Sequence, residues 1–535
     1  HFFVLICSIK INHMKNILLF TITFLTFSGQ AQTWSDDVAQ IMFNKCTKCH
    51  NANGIAPMPL MTYAEASPMA AAIAAAVSSD EMPPWPVDNN YQQYVHDRSL
   101  SPVDKTTILD WVTGGALEGN SANTPPMPIY TSSAILGAGD LTVQIPTYMS
   151  KASTDDDYVC FSVPSGLAQN RTIKSIEIIP GNRQIVHHAL IFTDPNNVEV
   201  TDSVGGNCAG PANNNTKLLT GYTPGATPMT LPAVSPLKLG MDIAAGSNVY
   251  FAMHYPVGSY GQYDSTKVIF HFYPLGTTGI RQVSADPIIQ NWTFGLPANQ
   301  VTNVTAQYPA GSGGIPADIS FLSVFPHMHL LGESIKAYAL NTVGDTLKLA
   351  NIPEWDFHWQ DFYFFKNIQK VVAGSKIKGE GTYDNTTGNP ENPNSPPQFV
   401  SAGLNTTDEM FLVYFHYMLY QTGDEIYDME ELMTSGLNEQ LVGSESPINV
   451  YPNPFSEDIT IDLPSVNAGD VVSVYVYNYQ GQLIRKVMEK ETTVNSGLKV
   501  NWNGLSDDNA SVRKGVYFVS INVNGLNLNK QIIKN

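Results

Sequence analysis

Five residues near the start of the chain, Cys46-Thr47-Lys48-Cys49-His50, have the spacing C-x-x-C-H. Two thiols so spaced can add to the vinyl groups of a haem, and the adjacent imidazole can supply an axial nitrogen to its iron. A zinc site or a plain disulfide competes with that reading, but zinc would need more Cys or His ligands, and nearby only His96 offers one. Three histidine clusters follow: His187-His188, Met253-His254-Tyr255 and Pro326-His327-Met328-His329. Of the 12 histidines in the chain, five lie in these short apolar contexts. Burying an unpartnered imidazole is costly, so a metal ion is a reasonable partner. Residues two apart on a strand face one side, with roughly 6.5–7 Å between Cα atoms, so His327 and His329 could close on one ion. His187 and His188 would point to opposite faces of a regular strand, and sharing a metal requires a bulge or a curled-back ring. Each cluster taken alone also reads as ordinary buried or surface histidines.

Such residues must be held by folded elements. At roughly 150 residues per domain, 535 residues make three or four domains, each able to bury a core. Lys and Arg number 28 against 47 Asp and Glu, a formal charge of −19 that repels nucleic acid and anionic lipid and argues against both as partners. A composition of 43% hydrophobic and 14% charged residues, rich in Tyr, Thr, Asn, Gly and Pro, suits turn-rich β-structure. Residues 1–31 hold upstream sequence before Met14 and then a signal peptide: an apolar run from Ile17 to Phe27 followed by Ser28-Gly29-Gln30-Ala31. No later segment reaches ~20 apolar residues, so no membrane span is expected in the mature chain. Setting Cys7 aside with the upstream residues leaves Cys160 and Cys208 beyond the haem motif, and an exported chain would join them as a disulfide.

Residues 32–120 carry helical patterns at Trp34 to Phe43, Tyr63 to Val77 and Pro102 to Trp111, the last stopped by Gly114-Gly115. Residues 121–134, with three prolines, read as a linker. Short strands follow, among them Leu141 to Ile145, Thr172 to Ile179, Val249 to Tyr255, Val268 to Tyr273 and Met410 to Leu419. Two β-sandwich-like domains, 135–285 and 286–430, fit that length. A polar connector, 431–447, leads to a last unit, 448–535, with strands such as Val471 to Tyr477 and a turn at Gln480-Gly481.

The haem motif and its helical surroundings resemble class I c-type cytochromes. That resemblance makes Cys46, Cys49 and His50 the attachment and axial residues of one haem c. Met82, in Glu81-Met82-Pro83-Pro84-Trp85, becomes the sixth ligand, ahead of Met58, Met61 and Met69, because its prolines hold a rigid loop. The order and spacing of the histidine clusters over 135–430 resemble the copper type II, ascorbate-dependent monooxygenases, the family of peptidylglycine alpha-hydroxylating and dopamine beta-monooxygenases. This resemblance implies two antiparallel, jelly-roll-like β-sandwich domains and two copper ions. It assigns His187, His188 and His254 to an electron-transfer copper. His327, His329 and Met410 go to an oxygen-activating copper, with Tyr414 beside it. Cys160 and Cys208 bracket the His-His pair as a family disulfide does. Met410 alone also reads as a core residue. Phe325 and Leu412 replace polar residues of the peptide-processing relatives, which disfavours a C-terminal glycine peptide and implies a more apolar pocket. His271, His358 and His416 stay unassigned.

The segments Ile448 to Phe455, Gly481-Gln482-Leu483 and Lys514 to Val519 resemble the C-terminal sorting domain of type IX secretion. That implies an Ig-like β-sandwich read by the export machinery, and delivery through the periplasm to the surface or exterior of a Gram-negative bacterium. The whole is expected to be multidomain and mainly β, with one small all-α cytochrome c unit. Its expected function is to hydroxylate a C–H bond of a small organic substrate with dioxygen. Imidazoles suit copper in both oxidation states and a thioether favours Cu(I). Electrons would come from ascorbate or a redox protein, relayed by the haem to the first copper. The rival readings are a non-catalytic haem and copper electron carrier, and a secreted binding protein with structural metals. Nothing in the chain stands out for hydrolase or kinase chemistry.

Overall fold

The computed structural model describes residues 32–433 and 449–535, apart from 53, 129, 131–133, 203–207, 209, 214, 464–465, 467, 479–482, 496, 508 and 524–525. The signal peptide, most of the connector 431–447 and the Gln480-Gly481 turn lie outside the described residues.

The chain is mainly β; four helices lie towards its N-terminal end, α1 Ala39–Lys45, α2 Tyr63–Ala66, α3 Ala70–Ser78 and α4 Pro102–Thr113, and residues 429–433 are helical as well. Helix α4 starts where Ser101 caps the Asp104 amide and Pro102 presets the first turn, and it stops at Gly114 and the left-handed Gly115. Two expected helices are broken. The first opens as a π-helical turn at Trp34–Val38 before α1. The Ala-rich run is split by a 3-10 turn, Ser67–Met69, because Pro68 has no amide hydrogen to give. Trp34, Met42, Ile108 and Trp111 form the buried centre of this unit.

Residues 85–98 leave the helical unit and are built into a β-sheet layer. Tyr94 donates to the Leu349 carbonyl at 2.9 Å, the Val95 amide donates to Phe364 O at 2.9 Å, and Arg98 pairs with Asp361 at 2.7 Å. Val87 and Tyr94 share an apolar cluster with Phe321, Phe365 and Phe415. The helical unit is therefore docked by backbone and core contacts, not only tethered.

The first β module has strands β1 Leu141–Gln144, β2 Asp157–Pro164, β3 Arg171–Ile179, β4 His188–Asp194, β5 Lys217–Tyr222, β6 Leu237–Ile243, β7 Asn248–Tyr255 and β8 Lys267–Phe272. Antiparallel pairing runs β1-β8-β3-β6 in one sheet, which Arg281–Gln282 extends in parallel beside β6, and β2-β7-β4-β5 in the other. The second has β9 Ser284–Asn291, β10 Gln300–Tyr308, β11 Ile319–His327, β12 Gly332–Leu340, β13 Thr346–Ile352, β14 Tyr363–Val371, β15 Lys376–Asn385 and β16 Phe411–Leu419. Its sheets run β9-β16-β11-β14 and β10-β15-β12-β13. Strand β15 shows the period of two that sets such a sheet: Ile377, Gly379, Gly381 and Tyr383 face in while Glu380 faces out. A Cβ on Gly379 would stand 2.8 Å from Ile289 Cγ2 and 3.0 Å from Phe411 Cζ, so glycine lets the sheets close over the ring beside Met410. One apolar cluster runs from the first module into Leu322, Phe364, Ile368 and Met418 of the second. Further antiparallel sheets between Asn449 and Lys534 close around Phe455, Val474 and Trp502. No helix among the described residues is long and apolar enough to cross a membrane.

Candidate metal centres

Strands β4 and β7 pair so that His188 sits directly opposite His254, and the two rings lie on one face with centroids 4.4 Å apart. His187 precedes β4, just after a turn in which the Ile185 and Val186 amides donate to Asn182 O. Its own amide donates to His254 O at 3.0 Å, and its ring comes to 4.9 Å from His254 and 5.7 Å from His188. The chain thus escapes strand alternation by starting β4 one residue late. Ligand nitrogens of the three rings all lie within 4.8 Å of one another.

The surroundings aim these rings. Asp156 Oδ2 accepts from His254 Nε2 at 2.7 Å, and its other oxygen accepts the Val257 amide at 2.9 Å. The Tyr158 ring stacks on His254 at 4.3 Å and 8°. With Nε2 committed, His254 Nδ1 is left buried without a partner, as are His187 Nδ1 and His188 Nε2. Burial pushes the His187 imidazole down to about 3, and holds His188 and His254 below the usual histidine range. Neutral rings with idle lone pairs are the state a metal ligand requires. This donor set fits a copper ion.

The second set sits where β11 ends. His327 is its last residue and His329 lies beyond it, so strand parity does not pair them as expected; loop contacts do. The ring centroids are 5.1 Å apart at 89°. His327 Nδ1 donates to Gln360 Oε1 at 2.5 Å, and His329 Nδ1 to the Asp408 carbonyl at 3.0 Å. Both acceptors fix the proton on Nδ1 and leave Nε2 as the ligand nitrogen. Burial pushes His327 down to about 4 and His329 to about 3.

Glu409, just before Met410, ties this set together. Its carboxylate accepts the Leu331 amide at 2.6 Å, the His329 amide at 3.0 Å and the Met410 amide at 3.1 Å. Burial raises its carboxyl to about 8 against the pull of those three N–H groups. The backbone of Met410 is thereby held next to that of His329. Met410 lies just before β16, not inside it, and is buried, its carbonyl accepting the Tyr383 hydroxyl at 2.6 Å. Tyr414 faces Phe325 across the β16–β11 register, ring centroids 6.0 Å apart. Phe325 is itself buried, stacked between Phe362 and His327 at 4.5 and 6.2 Å.

The unassigned histidines separate cleanly. His416 is satisfied twice: its Nε2 donates to Leu219 O at 3.0 Å, and its Nδ1 accepts from Ser323 Oγ at 2.7 Å, so its role is structural. His358, which carries no motif, comes within 5.6 Å of His187. His271 lies on β8, opposite Ser175 of β3, in the sheet that does not carry His188 and His254. Cys160 and Cys208 are joined as a disulfide with 5.6 Å between Cα atoms.

In the helical unit Cys46 and Cys49 are free thiols. His50 Nδ1 donates to the Met58 carbonyl at 3.0 Å, leaving Nε2 for a metal, and Met58 rather than Met82 packs in the same apolar cluster as Cys46. Met82 follows α3, its amide bonded to Ala76 O at 3.1 Å. Two thiols and one free imidazole nitrogen fit a covalently attached haem. A Cβ on Gly225 would stand 3.0 Å from Cys49 Sγ, so this motif faces the first β module.

Residues 300–440 match the family model of the copper type II ascorbate-dependent monooxygenase C-terminal domain, and residues 449–535 match that of the secretion system C-terminal sorting domain. Neither match reaches Cys46–His50 or the His187, His188 and His254 set. The mouse DBH-like monooxygenase protein 1 is 27% identical over 311 residues, covering 53% of this chain and 48% of the relative. The human protein of that name is 26% identical over 288 residues, covering 49% and 44%. The chain spans about half the length of the curated relatives it matches. A solved structure of PorZ, a surface component of the type IX secretion system of Porphyromonas gingivalis, is 20% identical over 24% of this chain and 15% of that one. Its TM-score of 0.14 is too low to bear on the fold. The chain thus carries a domain similar to the C-terminal domain of copper monooxygenases, and a sorting domain that directs it through type IX secretion to the cell surface or outside.

Proposed function

We propose that the chain is a secreted copper-dependent monooxygenase that places one oxygen atom of dioxygen into a C–H bond of a small organic substrate. The observation that carries this reading is the gathering of five histidines into two sets, the first with three buried nitrogens that no protein group satisfies. Hydroxylation with dioxygen takes two electrons from outside, and a pair of one-electron copper ions supplies them when bound. His187, His188 and His254 hold one ion, with Asp156 and Tyr158 fixing the His254 ring. His327, His329 and Met410 hold the other; Gln360 and the Asp408 carbonyl orient the two rings, and Glu409 fixes the backbone that carries Met410. Tyr414 stands beside this set as a hydroxyl for substrate.

In this reading residues 32–120 form a cytochrome c domain, with one haem on Cys46, Cys49 and His50 and with Met82 as the further ligand. Residues 135–285 and 286–430 are the two jelly-roll-like copper domains, with linker 121–134 before them and linker 431–447 after them, and 448–535 is an Ig-like sorting domain. Ascorbate or a redox protein is the electron donor, directly or through the haem. The docking of residues 85–98 onto β13 and β14, and of Cys49 against Gly225, supports a haem domain that works with the copper domains.

Metal analysis with an absorption spectrum tests the cofactors: about two coppers and one haem per chain are expected. Oxygen uptake matched by hydroxylated product tests the reaction. Uptake or electron flow without product assigns an electron carrier instead. A Met410→Ala variant is expected to lose turnover and keep the haem spectrum.

A further inference from the structure

Three imidazoles leave one corner of a four-coordinate metal site unfilled. A fourth imidazole stands next to the first set, carried by the second module. His358 lies between β13 and β14, and its ring centroid is 5.6 Å from that of His187. Rings bound to one ion through nitrogens about 2 Å from it have centroids roughly 4.5–5.7 Å apart. The three rings of the set are separated by 4.4, 4.9 and 5.7 Å, so the spacing of His358 from His187 falls in the same range.

The nitrogens of His358 are arranged as those of a ligand. Asp356 Oδ1 lies 3.3 Å from its Nδ1 and accepts the His358 amide at 2.8 Å, which favours the ring proton on Nδ1. Among the described residues no hydrogen bond engages Nε2. The pairing repeats the carboxylate behind His254, where Asp156 Oδ2 is 2.7 Å from one ring nitrogen and the other is idle. The backbone here is anchored. The Trp355 amide donates to Glu333 O at 2.8 Å, the Trp359 amide to Asp356 O at 3.1 Å, and Gln360 Nε2 to the Phe357 carbonyl at 2.7 Å. The His358 side chain, by contrast, is 41% exposed and makes ring contact with His187 alone of the three histidines.

We propose that His358 is a fourth, exchangeable ligand to the ion held by His187, His188 and His254. This role rests on the copper reading and adds to it a residue outside every motif. Exposed side chains change rotamer freely, so turning about the Cα–Cβ and Cβ–Cγ bonds brings Nε2 to the open corner while the backbone stays in place. With His358 bound, the ion ties the two modules together, because its other three ligands all belong to the first. With His358 turned away, the corner is open to water or an entering molecule. A fourth nitrogen suits the tetragonal preference of Cu(II), so the Cu(II) form is the one to measure.

The test uses the full chain carrying His329→Ala, so that copper sits at the first set, with and without His358→Ala or His358→Gln. Glutamine keeps a hydrogen-bonding side chain beside Asp356 and removes the imidazole. Copper content is measured first. X-ray absorption then counts the imidazoles on Cu(II), a competition titration reads affinity, and amide hydrogen exchange over residues 355–360 reads the tie between modules. Four imidazoles are expected with His358 present and three in either variant, with affinity lower by about tenfold. Copper is expected to slow exchange over residues 355–360 only when His358 is present, and added imidazole to restore the fourth ligand in His358→Ala. A chain with His329→Ala alone that binds no copper sinks the copper reading of the first set and this role with it. Copper bound with the same imidazole count whether or not His358 is present overturns the fourth ligand alone, whatever the affinity does.

Discussion

The two histidine sets are built from the same residue type but aimed by different means. In the first, pairing of β4 with β7 puts His188 opposite His254, an acidic side chain and a stacked tyrosine fix one ring, and three nitrogens are left idle. In the second, neither histidine is placed by sheet pairing across from the other. Gln360, the Asp408 carbonyl and the Glu409 carboxylate hold the rings and backbone from loops. The first set is thus a product of sheet register and the second of a loop clamp, so they should fail differently when disturbed.

The largest effect should come from removing a ligand. His254→Ala and His329→Ala are each expected to lose one copper per chain and retain the other, read by metal analysis of both variants; loss of both ions from either variant would merge the two sites into one unit. Next is the clamp. Glu409→Gln leaves three amide donors facing a single acceptor oxygen and is expected to cost about 2–3 kcal/mol in denaturant unfolding, with copper weakened only at the second set. A change confined to the first set would reverse the comparison. Asp156→Asn removes the carboxylate behind His254 and is expected to weaken copper at the first set by about 10–100-fold in a competition titration, sparing the second.

The most gradual effect is that of pH on the metal-free protein. His187 is held at about 3, His327 at about 4 and His329 at about 3, against about 6.5 in an unfolded chain. Between those values the unfolded chain binds more protons, so stability is expected to fall as pH drops from about 6.5 towards 4. Glu409 acts the other way: held at about 8, it loses its contribution as pH rises through that value. Thermal unfolding from pH 4 to 9 checks both signs, and copper loading should offset the acid limb, since bound rings cannot protonate.

Helix and strand positions were largely legible in the sequence because period and punctuation are local: Ser101-Pro102 starts α4, Gly114-Gly115 stops it, and β15 alternates on its own. The grouping of His187 with His188 was legible only as a question. The answer depended on a turn at Asn182 to Val186 that delays the strand by one residue. The strand argument for His327 and His329 put them together for a reason the structure does not use. Glu409, Asp156 and Gln360 carry no spacing signal, because the histidines they act on lie 80, 98 and 33 positions away.

By itself the sequence determined which side chains could bind metal or haem, the mainly β character and the secretion address. Those follow from residue chemistry, hydrophobic period and motifs, all written along the chain. Tertiary structure alone decided which ring nitrogen each histidine presents, that the Met58 carbonyl accepts the hydrogen bond of His50 Nδ1, and that the Glu409 carboxylate holds the backbone of His329 and Met410. Such outcomes depend on hydrogen-bond partners and packing from distant segments, and no local pattern encodes them.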